Sequence, residues 1–383
     1  MKRIVRVASL LAFAGCTTTS TTSSTTATTA PKTNEPQKMA ITNVIPFDLA
    51  ACGARELTLS PLTAEVLTGA MLSLNPAVQE CFINVTARDG QPIDLKAKVT
   101  VSEAGPAVEV SGTGASAQGK ACIEAAYKKL PLAALPAGSK PISAEIPLGA
   151  GPQVVRLGDN AANDVAGALR LAQPTFCECY AKLGTKAPPS LKADVEVSGE
   201  GASKVTFGAQ DELTTCLTAK MQAVPQAKVQ TKLGWPLLLK NSYATEVDAS
   251  APAALRFQQL DGMRGQRTAD VLIAAGQRVT AALAFDELAQ KYKKKPAKGM
   301  LEELKTKCEA VVAGDDKQIA AVKGLVAVLQ DSQKLVQEEK AKDAQWAAVE
   351  GQLAQQLTTS TAEVVRVEDQ KKNDLNACPK TKY

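Results

Sequence analysis

Two stretches of the chain make the same switch of hydrophobic period. In the first, Val66, Met71, Leu74 and Val78 recur near every third or fourth position, the spacing of an amphipathic helix. Leu95, Ala97, Val99 and Val101 then alternate with polar neighbours. Val108 and Val110 do the same beyond Gly105-Pro106, which predicts a hairpin of half-buried strands. The second stretch repeats this with Val165, Leu169 and Phe176, then with Leu191, Ala193, Val195 and Val197, a turn at Gly199/Gly201, and Val205 with Phe207. A further helix is predicted from about residues 117 and 210, with Asp211 and Glu212 in the first turn of the latter, where the helix dipole favours negative charge. An extended stretch closes each unit, Ile142 to Leu148 and Lys228 to Leu239. The order is α-β-β-α-β twice, an α+β fold.

The two units align residue by residue. Glu65 to Phe82 laid over Asn163 to Tyr180 places Gly69 on Gly167, Pro76 on Pro174 and Glu80-Cys81-Phe82 on Glu178-Cys179-Tyr180. Further along, Leu95-Lys96-Ala97 falls on Leu191-Lys192-Ala193, and Cys122 through Pro131 on Cys216 through Pro225. Two copies are too few for a solenoid and predict tandem small domains, over residues 47–150 and 151–247.

Residues 248–383 carry almost no strand signal and are rich in Ala, Gln, Glu, Lys and Leu. A first helix is predicted from about Pro252 to Tyr292, stopped by Lys293-Lys294-Lys295-Pro296. A shorter one through Met300, Leu304 and Val311 is expected to end at Gly314, with Asp315-Asp316 capping the next. Val322, Leu325, Leu329 and Val336, then Trp346, Val349, Leu353, Leu357, Val364 and Val367, keep helical spacing. Asp343 and Glu350 interrupt a strict coiled-coil heptad, which favours an antiparallel helical hairpin or three-helix bundle over a long parallel dimer.

At the N-terminus, Lys2, Arg3 and Arg6 precede an apolar run from Val7 to Ala14 that is too short to anchor as a membrane helix. This predicts an export signal over residues 1–15. Phe13-Ala14-Gly15-Cys16 resembles the bacterial lipobox, with Phe13 where Leu is usual; the resemblance implies acylation of Cys16, palmitate included, after cleavage. The alternative is a cleavable signal with an incidental cysteine. The segment 16–46 begins as almost pure Thr/Ser/Ala and reads as a tether, spanning roughly 30 Å root-mean-square as a flexible coil of about 30 residues. Thr17 after the cysteine, by resemblance to enterobacterial sorting, implies the outer membrane, on its periplasmic face or at the cell surface.

The α-β-β-α-β order, with an aromatic residue after a cysteine on the first helix and a second cysteine on the later helix, resembles the TonB/TolA C-terminal domain superfamily. It is closest to a Cys-aromatic…Cys variant found in envelope and gliding-motility proteins. The second unit matches better, through Cys179-Tyr180, Pro188-Pro189, Cys216-Leu217, Val224-Pro225 and Trp235-Pro236-Leu237-Leu238. The resemblance covers roughly half the chain. It implies a periplasmic module that docks proteins by adding a partner's strand to its sheet edge. The candidate edges are Val229, Trp235, Leu237 and Leu239 in the second unit and Ile142 to Leu148 in the first. The chain has neither the membrane helix nor the Pro-rich spacer of TonB, so energy transduction is not implied.

Of nine cysteines, setting Cys16 aside leaves eight, an even number that in an exported chain favours disulfides. Equivalent cysteines in a repeat should make equivalent bonds: Cys81 with Cys122 and Cys179 with Cys216. Cys52 and Cys177 have no counterparts and are left to staple the units together, and Cys308 is left for Cys378. That last bond requires the final helical stretch to fold back, with Gly351 or Thr358 to Thr361 as the candidate site. The rival reading of Cys177-Glu178-Cys179 as a metal or redox site has no histidine to assist it and competes for Cys179.

Chemistry is sparse elsewhere. The chain contains no histidine, which excludes Ser-His-Asp and Cys-His catalysis and His-containing zinc sites. No nucleophile elbow, phosphate loop or carboxylate pair stands out, so neither catalytic residues nor a cofactor is expected. The formal charge of +5 includes three basic residues of the signal; residues 16–383 carry 41 basic against 39 acidic, so overall charge implies no anionic partner and no nucleic acid. Lys291 with Lys293 to Lys295 could touch anionic lipid or a wall polymer, but a solvated helix end accounts for them. The expected function is that of a lipid-anchored, non-catalytic docking protein of the envelope with protein partners. The alternative is a binding module for cell-wall glycan or envelope lipid.

Overall fold

The computed structural model describes residues 38–40, 45–86, 93–150, 161–181 and 188–379. Cys16, the signal and most of the tether lie outside them.

The chain enters through two short strands, β1 (Lys38–Ala40) and β2 (Phe47–Asp48), and a 3-10 turn over Leu49–Cys52. The first repeat follows as α1 (Ala64–Ser73), α2 (Asn75–Thr86), β3 (Ile93–Ser102), β4 (Gly105–Thr113), α3 (Ala117–Tyr127) and β5 (Ile142–Ala150). Thr63 caps α1 and Ser116 caps α3, each side chain accepting a bond from a first-turn N–H. The first helical stretch divides into two because Pro76 starts a new segment, where its missing N–H is not needed. Its sheet has the order β4-β3-β5, antiparallel throughout. The inward row Leu95, Ala97, Val99 and Val101 packs on Val66, Leu67, Met71, Val78, Phe82, Ile123 and Tyr127, all essentially without solvent contact.

The second repeat has the same order: α4 (Ala161–Ala172), a 3-10 turn over Gln173–Phe176 containing Pro174, α5 (Cys177–Tyr180), β6 (Ser190–Val197), β7 (Ser203–Phe207), α6 (Glu212–Gln222) and β8 (Thr231–Lys240). Asp211 lies outside the first turn of α6 and caps it, in a reciprocal box with Thr214. The antiparallel core of this sheet is β7-β6-β8, the counterpart of the first. The sheet differs in gaining β1 and β2, both parallel to β8 on its outer side. The end of the expected tether is therefore part of a sheet.

Three long helices complete the fold, α7 (Ala253–Lys294), α8 (Met300–Lys340) and α9 (Ala347–Ala377). The stop after Tyr292 is as the lysines and Pro296 predict, and Gly299 opens α8 at φ +88°, a conformation that favours glycine. Gly314 does not end a helix. A Cβ there would lie 3.1 Å from Arg278 of α7, so the glycine is a notch that lets α7 and α8 approach. Asp315 beside it is fully buried and binds Arg278 instead of capping. The chain folds back earlier than expected, with Asp343 capping a 3-10 turn over Ala344–Trp346, and α9 runs unbroken through Gly351 and Thr358 to Thr361. Asp343, which breaks the heptad, marks the turn.

Helix α7 ties the molecule together. It crosses α1 where Gly69 faces Ala269 and Ile273 and where Gly276 faces Thr63 and Val66; a Cβ at Gly69 would sit 2.7 Å from the Ala269 carbonyl oxygen. The α1 and α7 backbones can meet only because these residues are small. At its start, α7 binds the second repeat: Gln259 Oε1 accepts from Asn241 N at 2.6 Å, and Gly262 abuts Ser242.

Candidate functional site

The closing strands are the candidate docking edges, and prolines determine which of their backbone groups face outward. Pro147 of β5 stands opposite Lys96, and Pro236 of β8 opposite Lys192, the equivalent register in each repeat. A proline has no N–H to give, so in an antiparallel ladder it occupies a pair whose polar groups point away from the partner strand. Every second residue shares that orientation. Ser143 and Glu145 in β5, and Lys232 and Gly234 in β8, therefore direct their N–H and C=O groups to the outer edge.

In the second repeat that edge is occupied. Lys38, Met39 and Ala40 pair with Lys232, Leu233 and Gly234, and Phe47 and Asp48 with Leu239 and Lys240. Pro236 lies between these two paired stretches and has no N–H to offer. The side chains expected to meet a partner there are core residues: Trp235 is 1% exposed, and Leu237 and Leu239 are equally buried. Val229 precedes the strand and is half-buried. The expectation that the side chains of Trp235, Leu237 and Leu239 meet a partner is therefore corrected, and Val229 is no part of the strand. Alternation turns the large residues inward, and the chain's own segment covers the backbone edge.

In the first repeat the matching edge is open. Among the described residues no strand pairs with the outer side of β5, and Ser143, Glu145 and Pro147 are exposed while Ala144, Ile146 and Leu148 are buried. Lys96 neighbours Glu145 at 3.4 Å on the solvent face.

A buried clamp fixes the two repeats against each other. Arg170 of α4 donates to both carboxylate oxygens of Glu80 on α2, at 2.8 and 3.1 Å, and to the carbonyls of Ile45 and Pro46, at 2.8 and 3.0 Å. Its guanidinium lies 5.5 Å from the Phe47 ring centroid. Asp48 accepts from Ser242 N at 3.0 Å and pairs with Lys240. Burial pushes the Tyr180 phenol next to Phe47 well above its ordinary pKa, with Arg170 acting in the opposite direction. In the sequence Glu80 and Tyr180 stood out only as marks of the repeat, and Arg170, Phe47 and Asp48 not at all, although a lone arginine on the apolar face of α4 and the apolar residues from Met39 onward were available signals.

The cysteines form four pairs: Cys52–Cys177, Cys81–Cys122, Cys179–Cys216 and Cys308–Cys378, with Cα separations of 5.2 to 5.8 Å. Cys81–Cys122 and Cys179–Cys216 are the pairs the repeat implies, and the other two are those expected from the cysteines left over. Cys177 and Cys179 go to different bonds, which overturns the Cys177-Glu178-Cys179 site. Among the described residues no group of three or more metal-ligating side chains converges. A solvent-open depression of about 350 Å³ at the β6–β7 turn is lined by Glu196, Ser203, Lys204, Thr231 and Lys232, and contains no carboxylate pair. A second, near 280 Å³, holds Asp270 between Arg55 and Arg267. No described helix is long and apolar enough to cross a membrane.

No family model, no curated protein and no solved structure matches the chain.

Proposed function

We propose that the protein is a lipid-anchored, non-catalytic docking component of the cell envelope that receives an extended segment of a partner protein along the outer edge of β5. The observation that carries this reading is internal: the equivalent edge of the second repeat already takes a parallel strand, the chain's own Lys38–Ala40. The first repeat offers the same outward row at Ser143 and Glu145 with nothing described upon it. The likeness to TonB/TolA C-terminal domains supports the same mode of recognition. Pro147 limits the docked strand to about the span that β1 occupies, three or four residues. Acylation at Cys16 and an outer-membrane address belong to the proposal and rest on the lipobox-like Phe13-Ala14-Gly15-Cys16.

The test is a proline at Glu145, whose N–H does not take part in the β3 ladder. Glu145→Pro should keep the fold and abolish partner capture in crosslinked envelopes, whereas Leu237→Pro should disturb the core of the second repeat. Partner capture unchanged by Glu145→Pro would contradict the edge mechanism. The glycan alternative needs an exposed aromatic platform, and every aromatic side chain among the described residues is buried or half-buried.

A further inference from the structure

The positive charge of the chain is localised. Residues 291–307, the tip of the α7–α8 hairpin, contain seven lysines against two glutamates, whereas the rest of residues 16–383 carries 34 basic against 37 acidic. Lys291 pairs with Glu287 at 2.7 Å and Lys305 with Glu302 at 3.2 Å. Lys293, Lys294, Lys295 and Lys298 are exposed, and among the described residues none of them has a carboxylate partner. The helix dipole accounts for part of this, since lysines at the end of α7 face its negative pole. It does not account for Lys298, which stands just before Gly299, the N-cap of α8, where the dipole disfavours a cation.

Apolar side chains accompany these charges. Leu301 in the first turn of α8 is 42% exposed, with Met300 and Tyr292 half-buried nearby. A soluble helix end gains nothing by exposing leucine among unpaired lysines, whereas an interfacial site uses both: ammonium groups meet phosphates and short apolar side chains enter the acyl boundary. Tyrosine, with an apolar body and a polar tip, suits the same level. Helix α7 carries this tip about 48 Å beyond Gly262, which abuts Ser242, at 1.5 Å per residue.

We propose that the α7–α8 tip binds an anionic phospholipid surface, independently of any acyl chain at Cys16 and of any partner at β5. The test uses the full chain carrying Cys16→Ser, so that no acyl anchor contributes, and vesicles of phosphatidylcholine with or without phosphatidylglycerol. Co-sedimentation should require phosphatidylglycerol and weaken as salt screens the charges. It should fall at least about tenfold in the variant Lys293→Gln/Lys294→Gln/Lys295→Gln/Lys298→Gln, given the contribution each lysine makes near an anionic surface. Leu301→Gln should weaken it separately. All five positions are exposed, so the melting temperature should not change, which separates lost binding from lost folding. Equal binding to vesicles without phosphatidylglycerol, undiminished binding of the quadruple variant, or retention on purified peptidoglycan with none on vesicles would overturn the proposal.

Discussion

At the residue scale, two buried charges stabilise or weaken the molecule in opposite ways. Arg170 donates four hydrogen bonds, two to Glu80 and two to backbone carbonyls, in a site where both side chains of the pair are nearly free of solvent. Removing one partner of such a pair strands the other. Arg170→Ala should cost about 3–5 kcal/mol, read from denaturant unfolding, and the double variant Glu80→Leu/Arg170→Met should recover much of that loss. Asp315 is the weaker arrangement. It accepts from Arg278 and Gln370, but its second oxygen has no partner, and burial raises its pKa above the ordinary 3.8 despite Arg278. A carboxyl whose folded pKa is raised stabilises the fold only while protonated; that contribution is complete below the unfolded value and lost as pH rises through the folded one. Asp315→Asn should therefore gain on the parent as pH is raised from about 4 toward neutrality. Melting temperatures of both forms across that range provide the check, and a difference independent of pH would refute the assignment. These residues also show where sequence reading stops. The cysteine pairs were legible because repetition makes equivalents bond alike, whereas Arg170 and Asp315 have no counterpart to signal them. Glu80 has one, Glu178, which is exposed and pairs with Lys220, so the repeat itself would have misled.

At the element scale, periodicity gave the order of helices and strands in both repeats, apart from the division of the first helical stretch at Pro76, because each element has one buried face that imposes its period on the sequence. It failed where an element's fate depends on a distant neighbour. Gly314 has the composition of a helix terminus, yet the proximity of Arg278 makes it a packing notch. Met39 and its neighbours read as tether because a three-residue strand is too short to show alternation, and only β8 gives it partners. Gly69 belongs to the same class. It aligned with Gly167 as a mark of the repeat, but its place in the structure is the crossing of α1 and α7. Gly69→Val should force those helices apart and cost on the order of 1–3 kcal/mol through overpacking. It should increase hydrogen exchange along α7 near Ala269 while leaving the second repeat unchanged. Breaking the Cys52–Cys177 bond by a double serine substitution acts on a loop of 125 residues and should cost about 4–5 kcal/mol on chain-entropy grounds, with the Arg170 clamp still holding the repeats in register.

At the scale of the whole molecule, the repeat gives two sheets with the same kind of outer edge, and among the described residues the short strands β1 and β2 cover only that of the second. Exposed edges are a liability that proteins shorten, cover or interrupt with proline. This chain interrupts both, with Pro147 and Pro236, and covers one. The remaining edge, three or four residues long beside Glu145, is short enough to resist indiscriminate aggregation and long enough to seat a partner strand in the way that β8 seats β1. The most direct measurement of that account is site-specific photocrosslinking in intact envelopes, with the reactive residue placed in turn at Ser143 and at Lys232. Docking on β5 predicts an intermolecular adduct from position 143 that Glu145→Pro abolishes, and from position 232 only an internal crosslink to the segment around Met39. An intermolecular adduct at 232 with none at 143, or an adduct at 143 indifferent to Glu145→Pro, would contradict it.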